Sequence, residues 1–135
     1  MHMEQNLSKQ EKLRDRTKRF ALRIIRLFRH LPQATEAQVL GKQLLRSGTS
    51  IGANYRAAGR ARSKAEFISK MGIVVEEADE TVFWIECLIE SGIVKPELLV
   101  DLLSEANELI AIFAASQRTA RSFYKSLPRP DRRRC

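Results

Sequence analysis

Apolar residues recur along this chain at three- and four-residue spacings, in four separate blocks. In the first block they stand seven, four, three and four positions apart: Leu13, Phe20, Ile24, Leu27 and Leu31. This spacing places side chains on one face of an α-helix. The block ends at Leu31-Pro32, because a residue that precedes proline disfavours helical backbone. The pattern predicts a first helix over about residues 8–30.

The second block begins with Thr35-Glu36-Ala37-Gln38, a capping-box pattern like that at Ser63–Glu66, which predicts a helix start with Thr35 as its cap. Its apolar positions are Leu40, Leu44, Ile51, Tyr55 and Ala58. The residues between them are mostly small, and a mid-helix glycine such as Gly48 or Gly52 costs roughly 1 kcal/mol relative to alanine. Close approach of a neighbouring helix is the favoured explanation, and a ligand groove is the alternative. We expect Asn54 to be a buried hydrogen-bonding residue, in a helix over about residues 36–60.

The third helix is predicted over about residues 63–91. In the Ser63-Lys64-Ala65-Glu66 pattern, the Ser63 side chain can accept from the amide of Glu66, and the Glu66 carboxylate can reach back to the amide of Ser63. An apolar repeat follows at Phe67, Met71, Val74, Ala78, Val82, Ile85 and Leu88. A fourth helix, over about residues 96–124, starts with Pro96, which suits a first turn, and repeats at Leu99, Leu102, Ala106, Leu109 and Phe113.

Four helices with short connections predict an all-α fold, an antiparallel up-down-up-down four-helix bundle. We assign residues 1–125 to the bundle and residues 126–135 to a basic, disordered tail. The apolar faces of helices one, three and four are wider than one small bundle needs, which predicts self-association. The adjacent Phe83 and Trp84 cannot both point into one narrow core, so one of them is expected to face a second subunit.

The composition is that of a folded chain of one domain, with 135 residues, 44% of them apolar and 30% charged. No apolar run approaches the roughly 18 residues of a membrane span. The polar N-terminus lacks the apolar core of a signal peptide, so the cytoplasm is the expected location. Two cysteines do not make a disulfide framework or a metal-binding spacing.

Charge is unevenly distributed along the chain, whose formal net charge is +8. Residues 1–30 carry nine Lys and Arg against three acids, whereas residues 63–91 carry two against seven. On a helical wheel the first helix gathers one arc of basic residues: Lys12, Arg16, Arg19, Arg23, Arg26 and His30. This arc is either a solvated face or a stripe that meets the repeating phosphates of a polyanion. The candidate nucleic-acid-binding residues are Arg16, Arg19, Arg23 and Arg26 with Arg56, Arg60 and Arg62 at the corner before helix three.

The chain shows no arrangement of catalytic or metal-binding residues. His2 and His30 are the only histidines, and neither follows a glutamate at the Glu-x-x-His spacing of carboxylate-bridged iron sites. Zinc ligands, a phosphate-cradling glycine loop and a Ser-His-Asp or Cys-His arrangement are also missing from the sequence. We therefore expect no enzyme activity, no metal and no cofactor, and we interpret the acidic residues of helix three as solvated or salt-bridged.

The run from Leu44 to Phe67, L-L-R-S-G-T-S-I-G-A-N-Y-R-A-A-G-R-A-R-S-K-A-E-F, resembles the signature of the bacterial four helix bundle protein family. Its members are also known as rRNA intervening-sequence proteins, because some are encoded within insertions in large-subunit rRNA genes. The run I-V-V-E-E-A-D-E-T-V-F-W-I-E over residues 73–86 is similar to the continuation in one branch, and the resemblance covers about residues 10–120. Many members read Asn-Ile-Ala-Glu-Gly where this chain reads Asn-Tyr-Arg-Ala-Ala over residues 54–58, so a glutamate of the family pattern is absent.

The resemblance implies an antiparallel four-helix bundle that assembles as a ring-shaped homopentamer. It also implies a distant similarity to the accessory protein of diversity-generating retroelements, a basic pentameric bundle that associates with reverse transcriptase and nucleic acid. Within the matching run, structural roles are expected for Asn54, Ser63, Glu66 and Phe67. Two hypotheses for function follow: a non-enzymatic homo-oligomer that binds RNA or DNA through phosphate contacts, or an interaction scaffold that docks an acidic protein partner.

Overall fold

The computed structural model describes residues 8–128, and it contains four helices and no strand within that range. They are α1 (Lys9–Arg29), α2 (Thr35–Ala58), α3 (Lys64–Glu90) and α4 (Pro96–Ser126). The observed ends differ from the predicted ones by at most two residues. Ser126, predicted as the first residue of the tail, is the last residue of α4, and the rest of the predicted tail from residue 129 onward lies outside the described residues.

Each helix packs against its neighbour in the chain, and α1 also meets α4, whereas the backbones of the diagonal pairs α1–α3 and α2–α4 stay apart within the described part of the chain. This order confirms the predicted antiparallel four-helix bundle. Its core is made by the apolar repeats that predicted the helices, including Ile24, Leu44, Ile51, Ile85 and Leu109, which are all at most 1% exposed.

Glycines allow α2 to approach α1 closely. A methyl group on Gly48 would lie 2.8 Å from Cγ1 of Ile24, and one on Gly52 would lie 3.2 Å from Oγ1 of Thr17. Both Ile24 and Thr17 are fully buried on α1. The expected close helix approach is therefore confirmed, and the neighbouring helix is α1.

The two predicted capping boxes have different outcomes. At α3, Oγ of Ser63 accepts from the amide of Glu66 at 3.1 Å as predicted, but the Glu66 carboxylate accepts from the amide of Arg62, one residue before the predicted donor. At α2 the predicted cap is wrong, because Ala34 is the capping residue and no side chain caps the helix. The Gln38 side chain instead donates to the carbonyl of Pro32 at 2.8 Å, which holds the turn rather than the helix amides.

Candidate nucleic-acid interface

The antiparallel topology collects basic residues at one end of the bundle. The N-terminal parts of α1 and α3 meet there with the C-terminal parts of α2 and α4, as the 5.0 Å separation of the Tyr55 and Phe113 rings illustrates. We define the basic end as residues 8–19, 52–72 and 113–128. It carries fourteen Lys and Arg against three Asp and Glu, whereas the remaining described residues carry six against eleven. The bundle is therefore polarised from end to end, with positive charge at one end and negative charge at the other.

The basic arc predicted on α1 does not stand free in solvent along its whole length. Arg16 donates to Glu105 of α4 through Nε at 2.8 Å and through Nη2 at 2.5 Å, and Nη2 also lies 2.5 Å from Oε2 of Glu108. The hydrogen bond from Arg16 lowers the pKa of Glu105, and the hydrogen bond to Glu105 raises the pKa of Arg16. Arg16 thus fastens α1 to α4, which explains its partial burial. It is not available to an external anion in this arrangement.

The other arginines of the arc differ in their surroundings. Arg19 pairs with Asp15 one turn earlier, at 3.0 Å, and remains well exposed. Arg23 is half-buried, and it adds to the positive charge that lowers the pKa of Glu105. Arg26 is exposed, and its Nε donates to the carbonyl of Leu22 at 3.4 Å. The arc is therefore partly a helix–helix contact and partly an exposed basic face.

The corner arginines lie at the basic end and face solvent. Arg60 and Arg62 stand in the connection between α2 and α3, and Arg56 stands in the last turn of α2. All three are exposed, and none makes a salt bridge with an acid of residues 8–128. Arg56 projects toward α1, where it lines a small cleft with Arg14 and Lys18.

Nine cations of the basic end were not among the predicted site residues: Lys9, Lys12, Arg14 and Lys18 on α1, Lys64 and Lys70 on α3, and Arg118, Arg121 and Lys125 on α4. The α4 residues follow the apolar repeat of that helix, and the sequence analysis assigned them no role. The predicted topology could have identified the α4 cations, because an up-down-up-down bundle brings the end of α4 beside the start of α1.

The remaining predicted structural residues stay within the bundle. Asn54 is half-buried rather than buried, and its Nδ2 donates to the carbonyl of Ser50 in its own helix at 2.8 Å. Phe67 is half-buried and packs against the core, one turn after the Ser63 cap.

The acidic residues of α3 are partly committed to a salt bridge within the bundle. Arg46 of α2 binds Glu77, with Nη1 3.2 Å from Oε2, and it also contacts Glu80. Glu80 accepts a second hydrogen bond from Nε1 of Trp84 at 3.1 Å, and these two donors lower the pKa of Glu80. Phe83 packs edge-on against Trp84 and remains 54% exposed.

Residues 8–128 bring together no group of acids, histidines and cysteines that would hold a metal ion.

None of the four helices in the described range is long and apolar enough to cross a membrane.

Residues 9–115 match the family described as 23S rRNA-intervening sequence protein. Among solved structures, a protein of unknown function from the S23 ribosomal protein family of Bacteroides thetaiotaomicron VPI-5482 is 36% identical. The match has a TM-score of 0.76 and covers 82% of this chain and 99% of that one. Comparison with curated proteins yields no match. The chain belongs to the 23S rRNA-intervening sequence protein family.

Proposed function

We propose that this protein is a non-enzymatic, homo-oligomeric bundle that binds RNA or DNA at its basic end through phosphate contacts, without reading base sequence. The observation that carries the proposal is the fourteen-to-three excess of cations over acids at that end. A nucleic-acid backbone presents regularly spaced negative charge, and binding to it releases condensed counterions. Phosphate contacts of this kind hold and orient a nucleic acid but carry no sequence information.

The geometry revises which arginines take part. Arg56, Arg60 and Arg62 have no acid partner among the described residues and are exposed at the basic end. Arg19 offers a weaker addition from α1, because it already shares its charge with Asp15. Arg26 is exposed but lies outside the basic end. Arg16 is left out of the proposed interface, since two carboxylates of α4 occupy its guanidinium.

Exposed apolar side chains at the opposite end of the bundle support self-assembly. Leu98 is 72% exposed, Val100 58%, Val39 55% and Phe83 54%. A monomer would leave these side chains in water, whereas a subunit interface would cover them. Assembly into the expected pentamer would repeat the basic end five times and strengthen a weak contact by multivalency.

Oligomerisation is tested by light scattering during size-exclusion chromatography at micromolar concentration. We expect a particle of five times the 15.5 kDa chain mass. A mass equal to one chain would contradict the self-assembly part of the proposal.

Nucleic-acid binding is tested by fluorescence anisotropy with a labelled single-stranded RNA and a labelled DNA duplex over a series of salt concentrations. We expect affinity that falls steeply as salt rises and differs little between sequences of equal length. The double variant Arg60→Gln/Arg62→Gln should weaken binding, whereas Lys42→Gln/Lys95→Gln, which removes the same charge away from the basic end, should have little effect.

Two outcomes would overturn this function. Absence of a complex at low salt and micromolar protein would remove nucleic acid as the ligand. Equal effects of the two double variants would mean that net charge, and not the basic end, governs binding. A partner from cell extract that stays bound after nuclease treatment and is released by the basic-end variant would favour an acidic protein instead.

A further inference from the structure

A cleft of about 200 Å³ lies between α1 and α2 at the basic end. Three cations stand around it, Arg14 and Lys18 on α1 and Arg56 on α2. Arg14 and Lys18 are four residues apart, so they occupy one face of α1 on successive turns. We call this feature the α1–α2 cleft.

Small residues form the floor of the α1–α2 cleft. Ala21 of α1 faces Gly52 and Ala53 of α2. The helices are close together here, because a methyl group on Gly52 would lie only 3.2 Å from Oγ1 of the buried Thr17. Side chains of one carbon or none leave room above the contact, and the three long cationic side chains reach up around that room. The cleft therefore follows from the same small-residue stretch that allows the helices to approach.

The hydrogen-bond donors at the α1–α2 cleft are almost all cationic. The Thr49 hydroxyl at its edge already donates within its own helix, to the carbonyl of Leu45 at 2.7 Å. None of Arg14, Lys18 and Arg56 makes a salt bridge with an acid of residues 8–128. Arg16, Arg19 and Arg46, by contrast, each pair with a carboxylate of the bundle. Three positive charges that line one cleft, with no acid among the lining residues, favour an anion between them.

We propose that the α1–α2 cleft is a phosphate-binding site, in which the forks of Arg14 and Arg56 and the ammonium group of Lys18 hold the phosphate oxygens. The volume is below the roughly 300 Å³ at which pockets for drug-sized ligands begin, so it suits one phosphate group and leaves an attached sugar and base outside. Arginine forks match the oxygen geometry of phosphate and bind it in a bidentate manner. This site rests on the proposed function for its natural ligand, a backbone phosphate of RNA or DNA, but a free phosphate offers the same chemistry.

The first test uses three variants of the full chain and a labelled single-stranded RNA. Arg56→Gln removes one cation of the α1–α2 cleft, and Arg118→Gln removes an exposed cation of the basic end on α4, so the two have equal net charge. Ala53→Leu fills the cleft without changing charge. We expect Arg56→Gln and Ala53→Leu each to weaken RNA binding by about tenfold, and Arg118→Gln by less than about threefold. Each cleft variant should also make the negative slope of log affinity against log salt shallower by about 0.7, the value for one phosphate contact to a single strand.

The second test distinguishes the source of the phosphate by NMR titration of the ¹⁵N-labelled protein. Inorganic phosphate is the free probe, and the RNA is the polymeric one. Saturable amide shifts at Gly52 and Ala53 with inorganic phosphate, absent in Arg56→Gln, support a site that accepts free phosphate. The same shifts with RNA alone support a site for backbone phosphate.

The outcomes separate this site from the proposed function. If RNA binds but Arg56→Gln, Ala53→Leu and Arg118→Gln weaken it equally and the Gly52 and Ala53 amides do not shift, the α1–α2 cleft is not a phosphate site and the function stands. If RNA does not bind but inorganic phosphate shifts those amides, the site stands and the function fails. Circular dichroism verifies that each variant keeps its helices, and Arg56→Gln, which alters an exposed side chain, remains informative if Ala53→Leu does not fold.

Discussion

The contact between α1 and α2 allows a sharp prediction from two identical substitutions. Gly48→Ala places a methyl group 2.8 Å from Cγ1 of Ile24, 3.1 Å from its Cγ2 and 3.3 Å from its Cβ. Ile24 is fully buried and branched at Cβ, so it cannot move aside unless α1 moves. Gly72→Ala in α3 is the matched control. The nearest atom to its methyl group is the end of the Gln117 side chain, at 2.9 Å, which can swing away.

The expected magnitudes follow from two opposing effects. Replacement of a mid-helix glycine by alanine stabilises a helix by about 1 kcal/mol, and this gain applies to both positions. Overpacking of a closely packed core costs about 1–3 kcal/mol, and this cost applies only at Gly48. We therefore expect Gly72→Ala to raise the free energy of unfolding by up to about 1 kcal/mol and Gly48→Ala to lower it by up to about 2 kcal/mol. The difference between the two variants isolates the overpacking cost.

Urea unfolding followed by far-ultraviolet circular dichroism measures both variants and the parent protein. All samples must have the same protomer concentration, because self-association contributes to stability by mass action. A shift of the midpoint with an unchanged slope reports stability alone. If Gly48→Ala stabilises as much as Gly72→Ala, within about 0.5 kcal/mol, then α1 and α2 are not held at the close separation that the structure shows.

Two further predictions use the same unfolding assay. Ser63→Ala should lower the free energy of unfolding by about 1 kcal/mol, because the amide of Glu66 loses its capping partner; no change would show that water replaces the cap without cost. Glu105→Gln should cost about 1 kcal/mol at pH 7 by weakening the partly exposed pair with Arg16. Because Arg16 lowers the pKa of Glu105 in the folded state, the stabilisation is complete above the ordinary carboxyl pKa and is lost as pH falls through the lowered one. The difference between the parent protein and Glu105→Gln should therefore shrink in acid, and a difference that stays constant to pH 3 would contradict this reasoning.

The helices and their order could be predicted from the sequence because each signal is local. An apolar repeat such as the one through Ile24 identifies the buried face of a helix without reference to any other helix. The Ser63 cap involves residues three positions apart. The cap predicted at Thr35 failed because Thr35 is already the first helical residue and Ala34 stands in the capping position. The Gln38 side chain donates to the Pro32 carbonyl instead. Local patterns thus identify elements well and their exact ends less well.

The candidate site depends on which flank of α1 faces which neighbour, and no local pattern contains that information. On the helical wheel, Arg16 and Arg23 lie on one side of the apolar stripe of α1, whereas Arg14 and Lys18 lie on the other. The observed hand of the bundle turns the Arg16 flank toward Glu105 of α4 and the Arg14 flank toward α2.

A bundle of the opposite hand would satisfy the same apolar repeats and exchange the two neighbours of α1. Arg16 would then face α2 and could not reach Glu105, and the flank with Arg14 and Lys18 would face α4 rather than Arg56. The pairing of Arg16 with Glu105 and the absence of an acid from the lining of the α1–α2 cleft therefore both follow from the handedness of the bundle. The arc found by sequence analysis, which contains Arg16 and Arg23 but not Arg14 and Lys18, lies on one flank of α1, but the sequence did not indicate which helix each flank meets. The structure places the Arg16 flank against α4, where it stabilises the bundle, and the flank with Arg14 and Lys18 beside α2, with no acid partner among the described residues.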